Sequence, residues 1–318
     1  MPSYSGVWTL SAQLQAKGLS NWPASQLAGD IGLFGGGSGV INTIQYVTIA
    51  TTGNATDFGD LTQSLFYIPA CASSTRGVFA GGYTGSAVVN AIQYVTIATI
   101  GNATSFGQLT ENRYNLAACS SNTRGVLGAG SNSSFTPVNT IDYVTIATTG
   151  NATDFGDIVS GTATGLAGCA STTRGLFAGG NNTAGTMLNI IEYITIASTG
   201  NGTDFGDMTQ GRNALGSFSS STRGVFGGGY TGSVYINMID YVTIASTGNA
   251  TDFGDLSSDR SNMGGCSSTT RGLFGGGGGP TNTIEYITIA STGNTTDFGD
   301  LISATSALGA CSNAHGGL

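Results

Sequence analysis

The residues of this chain that could do chemistry recur at a fixed spacing. Asp-x-x-Asp occurs as Asp57/Asp60, Asp154/Asp157, Asp204/Asp207, Asp252/Asp255 and Asp297/Asp300, and becomes Ser105/Gln108 in one further place. Carboxylates and turn carbonyls are calcium ligands, so a bound cation is one reading. Calcium loops carry denser acidic clusters, which favours a structural role. The surrounding TDFGD contains the Asp-Phe-Gly of protein kinases, but the rest of the kinase signature set is missing and the match is fortuitous. His315 is the only histidine and lies near an end that reads as disordered. No Ser-His-Asp or Cys-His constellation and no His/Cys metal cluster can be assembled from the chain. Asn54-Ala-Thr56 and Asn151-Ala-Thr153 have the form of glycosylation sequons, but turns are their default reading. The expectation is a non-enzymatic protein without cofactor or metal.

The elements that position these residues follow from composition. The chain has 318 residues, 53 of them Gly, and only 8% are charged. It contains one lysine, Lys17. Helices draw their exposed faces from Lys, Glu, Arg and Gln, whereas Gly, Thr, Ser, Asn, Val and Ile suit strands and tight turns. The net charge is −8 with arginines scattered singly, so no basic stripe exists for nucleic acid. No apolar run is long enough to span a bilayer, and MPSYSGVWTL is not a secretory signal.

Internal repetition decides the architecture. The string NTIQYVTIATTGNATDFGDL from Asn42 returns from Ile92, Ile141, Ile191, Ile239 and Ile284. A second string precedes each copy: GLFGGG at Gly32, then RGVF- or RGLF-like runs at Arg76, Arg124, Arg174, Arg223 and Arg271, their starts 44 to 50 residues apart. Such a period with about four short strands per unit predicts a β-propeller, here with six blades. A small apolar stretch such as LAACSS is the crowded inner strand, RGVF the second, IQYVTIAT the third and ATDFGDL the outer one. Ile44, Tyr46, Val47 and Ile49 make the third strand apolar on both faces, as a strand between neighbouring sheets should be. Gly32 begins without an inner strand before it, and the run around Leu308–Cys311 has no blade of its own. The C-terminal strand therefore completes the first blade and closes the ring.

This order, with Gly pairs such as Gly81-Gly82 and Gly179-Gly180 after the second strand, resembles kelch-repeat propellers over about Gly32 to Cys311. The family's outer-strand Trp is replaced by Phe58, Phe106, Phe155, Phe205, Phe253 and Phe298. The fold class is all-β: a six-bladed kelch-like propeller over residues 31–318, preceded by an N-terminal arm over 1–30.

Turns after the first and third strands share one face and are nearly identical among the copies. Loops after the second and fourth strands share the other face and vary. Variable loops on a rigid scaffold are where recognition sits. The candidate receptor contacts there are Phe66, Tyr67, Tyr83, Arg113, Tyr114, Phe135, Arg212, Tyr230, Tyr235 and Arg260. A glycan-processing enzyme would instead need paired carboxylates near the central cavity, but the Asp pairs fall on outer strands, and Glu111 and Asp259 are isolated in loops.

Two further expectations concern structure. Arg76, Arg124, Arg174, Arg223 and Arg271 precede the second strand, with Ile31 in the first unit, and the unit lacking its Asp pair is the next one along. Each Arg is expected to pair with the Asp pair of the following blade. Cys71, Cys119, Cys169, Cys266 and Cys311, with Phe218 at the sixth equivalent position, fall on inner strands and are too far apart on a ring for disulfides, whose Cα atoms lie within about 7 Å.

The arm does not repeat. Ser11 caps a short helix AQLQAK that Gly18 ends. Gly6-Val7-Trp8-Thr9-Leu10, a Gln, Gly18 and Trp22-Pro23 resemble a segment near the start of virion structural proteins of tailed bacteriophages. The resemblance implies a virion location in multiple copies, with Val7, Trp8, Leu10, Trp22 and Pro23 anchoring the chain to other virion proteins. The propeller would then bind a host-surface glycan or protein through its variable face. The alternative is a decoration or cement protein of head, collar or tail without a receptor role.

Overall fold

The computed structural model describes residues 26–318. Among them are six four-stranded antiparallel sheets arranged as a β-propeller, with no helix. In blade 2 the order from the axis outward is Ala70–Ala72, Arg76–Ala80, Ala91–Thr96 and Thr104–Gln108, and the other blades repeat it. Gly309–Ser312 pairs with Ile31–Gly35 as the inner strand of blade 1, matching Leu33 to Cys311. The ring is therefore closed by the C-terminal strand. The virion-anchoring candidates Val7, Trp8, Leu10, Trp22 and Pro23 lie outside the described residues.

The core lies between blades. Each hydrophobic cluster draws on two neighbours: Val78, Ile92 and Phe106 of blade 2, for instance, meet Leu127, Val144 and Ile146 of blade 3. Within each blade the third-strand Tyr stands edge-on to the outer-strand Phe, as in Tyr46–Phe58 at 6.2 Å and Tyr94–Phe106 at 5.9 Å. A register shift between third and outer strands recurs in every blade, at Ile44/Gln45 in the first. This bulge breaks strict alternation, so two consecutive residues, Ile44 and Gln45, are both buried.

The repeated motifs are explained by the joints between blades. The TGN turn of one blade, Ile100-Gly101-Asn102 in blade 2, packs on the DFGD strand of the blade before it: Gly101 N donates to Phe58 O (2.9 Å), Ala103 N to Asp60 O (2.8 Å), and Asp60 N to Asn102 Oδ1 (3.0 Å). All six joints repeat this set, including the closing one, where Asp300 N donates to Asn54 Oδ1 at 3.1 Å. A Cβ on Gly59 would stand 2.6 Å from Gly101 O, so this position takes glycine. The sequon asparagines thus serve backbone joints. The cysteines fill a similar role nearer the axis: Cys71 Sγ lies where a Cβ on Gly125 of the next blade would come within 2.7 Å. Burial pushes the Cys71 and Cys169 thiols up to about 12.

The Arg–Asp expectation is corrected by the structure. Arg76 crosses to the following blade as anticipated, but it donates to the carbonyls of Ile146 (2.9 Å) and Ala147 (2.8 Å) while stacking over Tyr94 at 4.5 Å. Arg124, Arg174, Arg223 and Arg271 reach Ile196, Ile244, Ile289 and Ile49 in the same way. Loop-end carbonyls left without strand partners need donors more than the half-solvated Asp pairs need a cation. Where Ile31 replaces the Arg, the entering chain supplies the donor: Leu27 N bonds Ala98 O at 2.8 Å, and Gln26 bridges Thr99.

Candidate functional site: the variable-loop face

The loops after second and fourth strands are hydrogen-bonded to one another across a single face. Ser131 pairs with Tyr114, Asn181 with Thr164, Phe66 with Tyr83, and Asn213 with Tyr230. Around the axis these loops close a circle of backbone bonds. Tyr67, Asn115, Gly165, Ala214, Asn262 and Ala307 each donate N–H to the carbonyl of the equivalent residue in the preceding blade, at 2.6–3.0 Å. All six have left-handed φ, from 52° at Tyr67 to 71° at Gly165. For the five non-glycines that conformation is strained, and the closed circle holds them in it.

The circle rims a funnel of about 110 Å³ lined below by Leu116, Leu166, Leu215, Met263 and Leu308 and then by small inner-strand residues. The opposite end of the channel holds the C-terminal segment. Gly316 N donates to Ser219 O (3.0 Å), and His315 Nε2 lies 3.0 Å from Ala72 O. Gly317 N donates to His315 Nδ1 at 3.1 Å, which assigns the proton to Nε2. Desolvation lowers the His315 pKa from its ordinary 6.5, against the Ala72 hydrogen bond. The end expected to be disordered is an ordered plug.

Three receptor candidates are withdrawn from the surface. Arg113, Arg212 and Arg260 are 0%, 0% and 3% exposed, turned inward toward Asp142, Asp240 and Glu285 at 2.5, 3.1 and 2.7 Å. The acids occupy the bulged third-strand position of the next blade, and each also accepts from the loop after an outer strand, as Thr110 N does to Asp142. Sequence reasoning missed this position. Reading it around the ring pairs Leu65 with Gln93, Arg113 with Asp142, Arg212 with Asp240, Arg260 with Glu285 and Thr305 with Gln45, so charge meets charge and neutral meets neutral. The exception is Ala163, opposite the buried Glu192, which accepts from Val159 N and Ser160 N but has no arginine. Desolvation lowers the Arg212 and Arg260 pKa values, opposed by Asp240 and Glu285 respectively.

The aromatic candidates behave differently. Phe66, Tyr67, Tyr83, Tyr114 and Phe135 come from four loops of blades 2 and 3 and meet in one patch. Their ring centroids are 5.0 Å apart for Phe66–Tyr67, 5.3 Å for Phe66–Tyr83, 5.9 Å for Tyr67–Tyr114 and Tyr83–Phe135, and 5.8 Å for Tyr114–Phe135. Phe135 is 58% exposed, and Tyr67 lines the funnel mouth. Burial raises the Tyr114 pKa, against a side-chain hydrogen bond with Ser131. Tyr230 and Tyr235 form a separate pair on blade 5, with centroids 5.1 Å apart. No family model matches the chain, and no curated protein matches it. The Asp-x-x-Asp carboxylates are not gathered: among the described residues no group of three or more His, Cys, Asp or Glu converges on a point that could hold a metal ion.

Proposed function

We propose that this is a non-catalytic virion protein of a tailed bacteriophage that recognises a host-surface ligand through its variable-loop face, with residues 1–30 attaching it to the particle. The observation that carries the recognition half is the aromatic patch. Five aromatic side chains from the variable loops meet on one face, locked by tilted and edge-to-face contacts, with Phe135 exposed and the other four half-buried. Aromatic rings supply large contact area at little entropic cost, which suits a recognition surface. The virion half is supported by the GVWTL…WP resemblance of the arm.

Adsorption of particles carrying Tyr83→Ala/Phe135→Ala to host cells tests this reading, alongside a cryo-EM map locating the chain. Lost adsorption with normal assembly, and the loop face turned outward, is the expected result. Normal adsorption, with that face packed against neighbouring virion proteins, would replace it with the decoration role.

A further inference from the structure

The burial of the three arginines changes what the loop face can bind. The chain has nine Lys and Arg residues in all. Lys17 lies outside the described residues, and Arg113, Arg212 and Arg260 are buried. The other five, Arg76, Arg124, Arg174, Arg223 and Arg271, stand at the opposite face, bonded to loop carbonyls. Among the described residues the variable face therefore presents no accessible cation. Its accessible charges include Glu111, only 3.8 Å from buried Arg113 Nε, and the exposed Asp259.

We propose that the ligand of the patch formed by Phe66, Tyr67, Tyr83, Tyr114 and Phe135 is a neutral glycan. The inference rests on the recognition reading above and narrows it. A pyranose ring has a face of C–H groups carrying partial positive charge, which stacks on the negative face of an aromatic ring, while its hydroxyls need small polar partners. Both are present: Thr84, Asn115 and Ser134 adjoin Tyr83, Tyr114 and Phe135 in the chain. Acidic glycans and phosphate-bearing polymers also stack on aromatic rings, but they need cations, and the accessible charge here has the wrong sign. A protein partner of ordinary interface size covers about 800 Å² per side, well beyond five rings, and its central contacts usually include arginine. The funnel mouth beside Tyr67 gives one end of the ligand a recess of about 110 Å³.

The test uses the full chain on immobilised glycans, comparing neutral hexose oligosaccharides with uronic-acid, sialylated and phosphorylated ones. Neutral glycans are expected to be retained, with affinity changing less than about twofold between about 50 and 500 mM salt, because no ion pair is screened. Phe135→Ala and Tyr83→Ala should each weaken binding about tenfold, the loss of one stacking contact. Phe135→Ala should lower the unfolding midpoint by only about 2 °C, since its exposed ring gives up little beyond its edge contacts with Tyr83 and Tyr114. Retention of acidic glycans, with steep salt dependence, would overturn the neutral class and leave recognition standing. Absence of any glycan binding would overturn the inference. If the same variants still abolished host adsorption, the ligand would be a protein; if they adsorbed normally, the recognition reading would fall as well.

Discussion

The buried pair Arg212–Asp240 offers a quantitative test of how the blades are joined. Both side chains are fully buried and 3.1 Å apart, and Asp240 also accepts from Thr209 N and Oγ1. Arg212→Leu leaves a buried carboxylate without its cation, and Asp240→Asn leaves a buried guanidinium without its anion. Each is expected to cost about 3–5 kcal/mol. At roughly 2 °C per kcal/mol for a chain of this size, that is a fall of about 6–10 °C in Tm. The double variant is the Leu/amide counterpart of the Leu65/Gln93 joint already present in this ring, with an Asn one methylene shorter than the Gln; there Gln93 Oε1 accepts from Thr62 N at 2.6 Å. Its cost is expected to be about 1–2 kcal/mol, because two unmatched charges are replaced by an apolar group and a hydrogen-bonded amide. Urea unfolding of wild type, both singles and the double gives the coupling directly. If the double loses the sum of the singles to within about 0.5 kcal/mol, the charges do not act as a pair and the reasoning fails.

Three other outcomes follow from the same geometry. Glu192→Gln should stabilise the chain by about 1–2 kcal/mol by removing an unmatched buried charge, whereas Glu285→Gln, which deprives Arg260 of its partner, should destabilise it; matching signs in urea melts would refute the charge-matching rule. Gly125→Ala should cost about 1–3 kcal/mol by overpacking against Cys71 Sγ, and Cys71→Ala in the same chain should recover part of that loss, read again as a coupling in unfolding. Because the His315 pKa is lowered from 6.5 in the folded state, the unfolded chain binds more protons just below pH 6.5. Stability should therefore fall as pH drops through that window; His315→Gln should flatten this part of the pH profile, and an unchanged profile would show that the plug does not titrate.

Much of the fold was legible because the chain repeats itself. The third-strand pattern of Ile44, Val47 and Ile49, the Gly pairs and the orphan strand at Leu308–Cys311 gave blade number, face assignment and closure. What was not legible depended on where a side chain turns. Arg113, Arg212 and Arg260 sit in loops whose residue types read as surface, and nothing local shows that they point inward. The signal lay in a comparison along the repeats: Arg stands one joint away from Asp or Glu, and Leu or Thr one joint away from Gln. The Arg76 series was traced to the correct neighbour but to the wrong acceptor, because unpaired carbonyls leave no mark in sequence. The meeting of Phe66, Tyr67, Tyr83, Tyr114 and Phe135 was equally hidden, since it requires loops of two blades to lean together.

The joints built from TGN and DFGD have a consequence for how this molecule can change. They are made chiefly of backbone amides, one asparagine oxygen and glycines, and the circle at the funnel mouth is made of amides alone. Closure therefore asks little of the loop side chains on the variable face. Substitutions there can accumulate, or be introduced as a library, without disturbing the inter-blade geometry. The inward-facing arginines and the six left-handed residues are the positions to hold constant. The chain is in this sense a scaffold whose variable loops can drift while its shape stays the same.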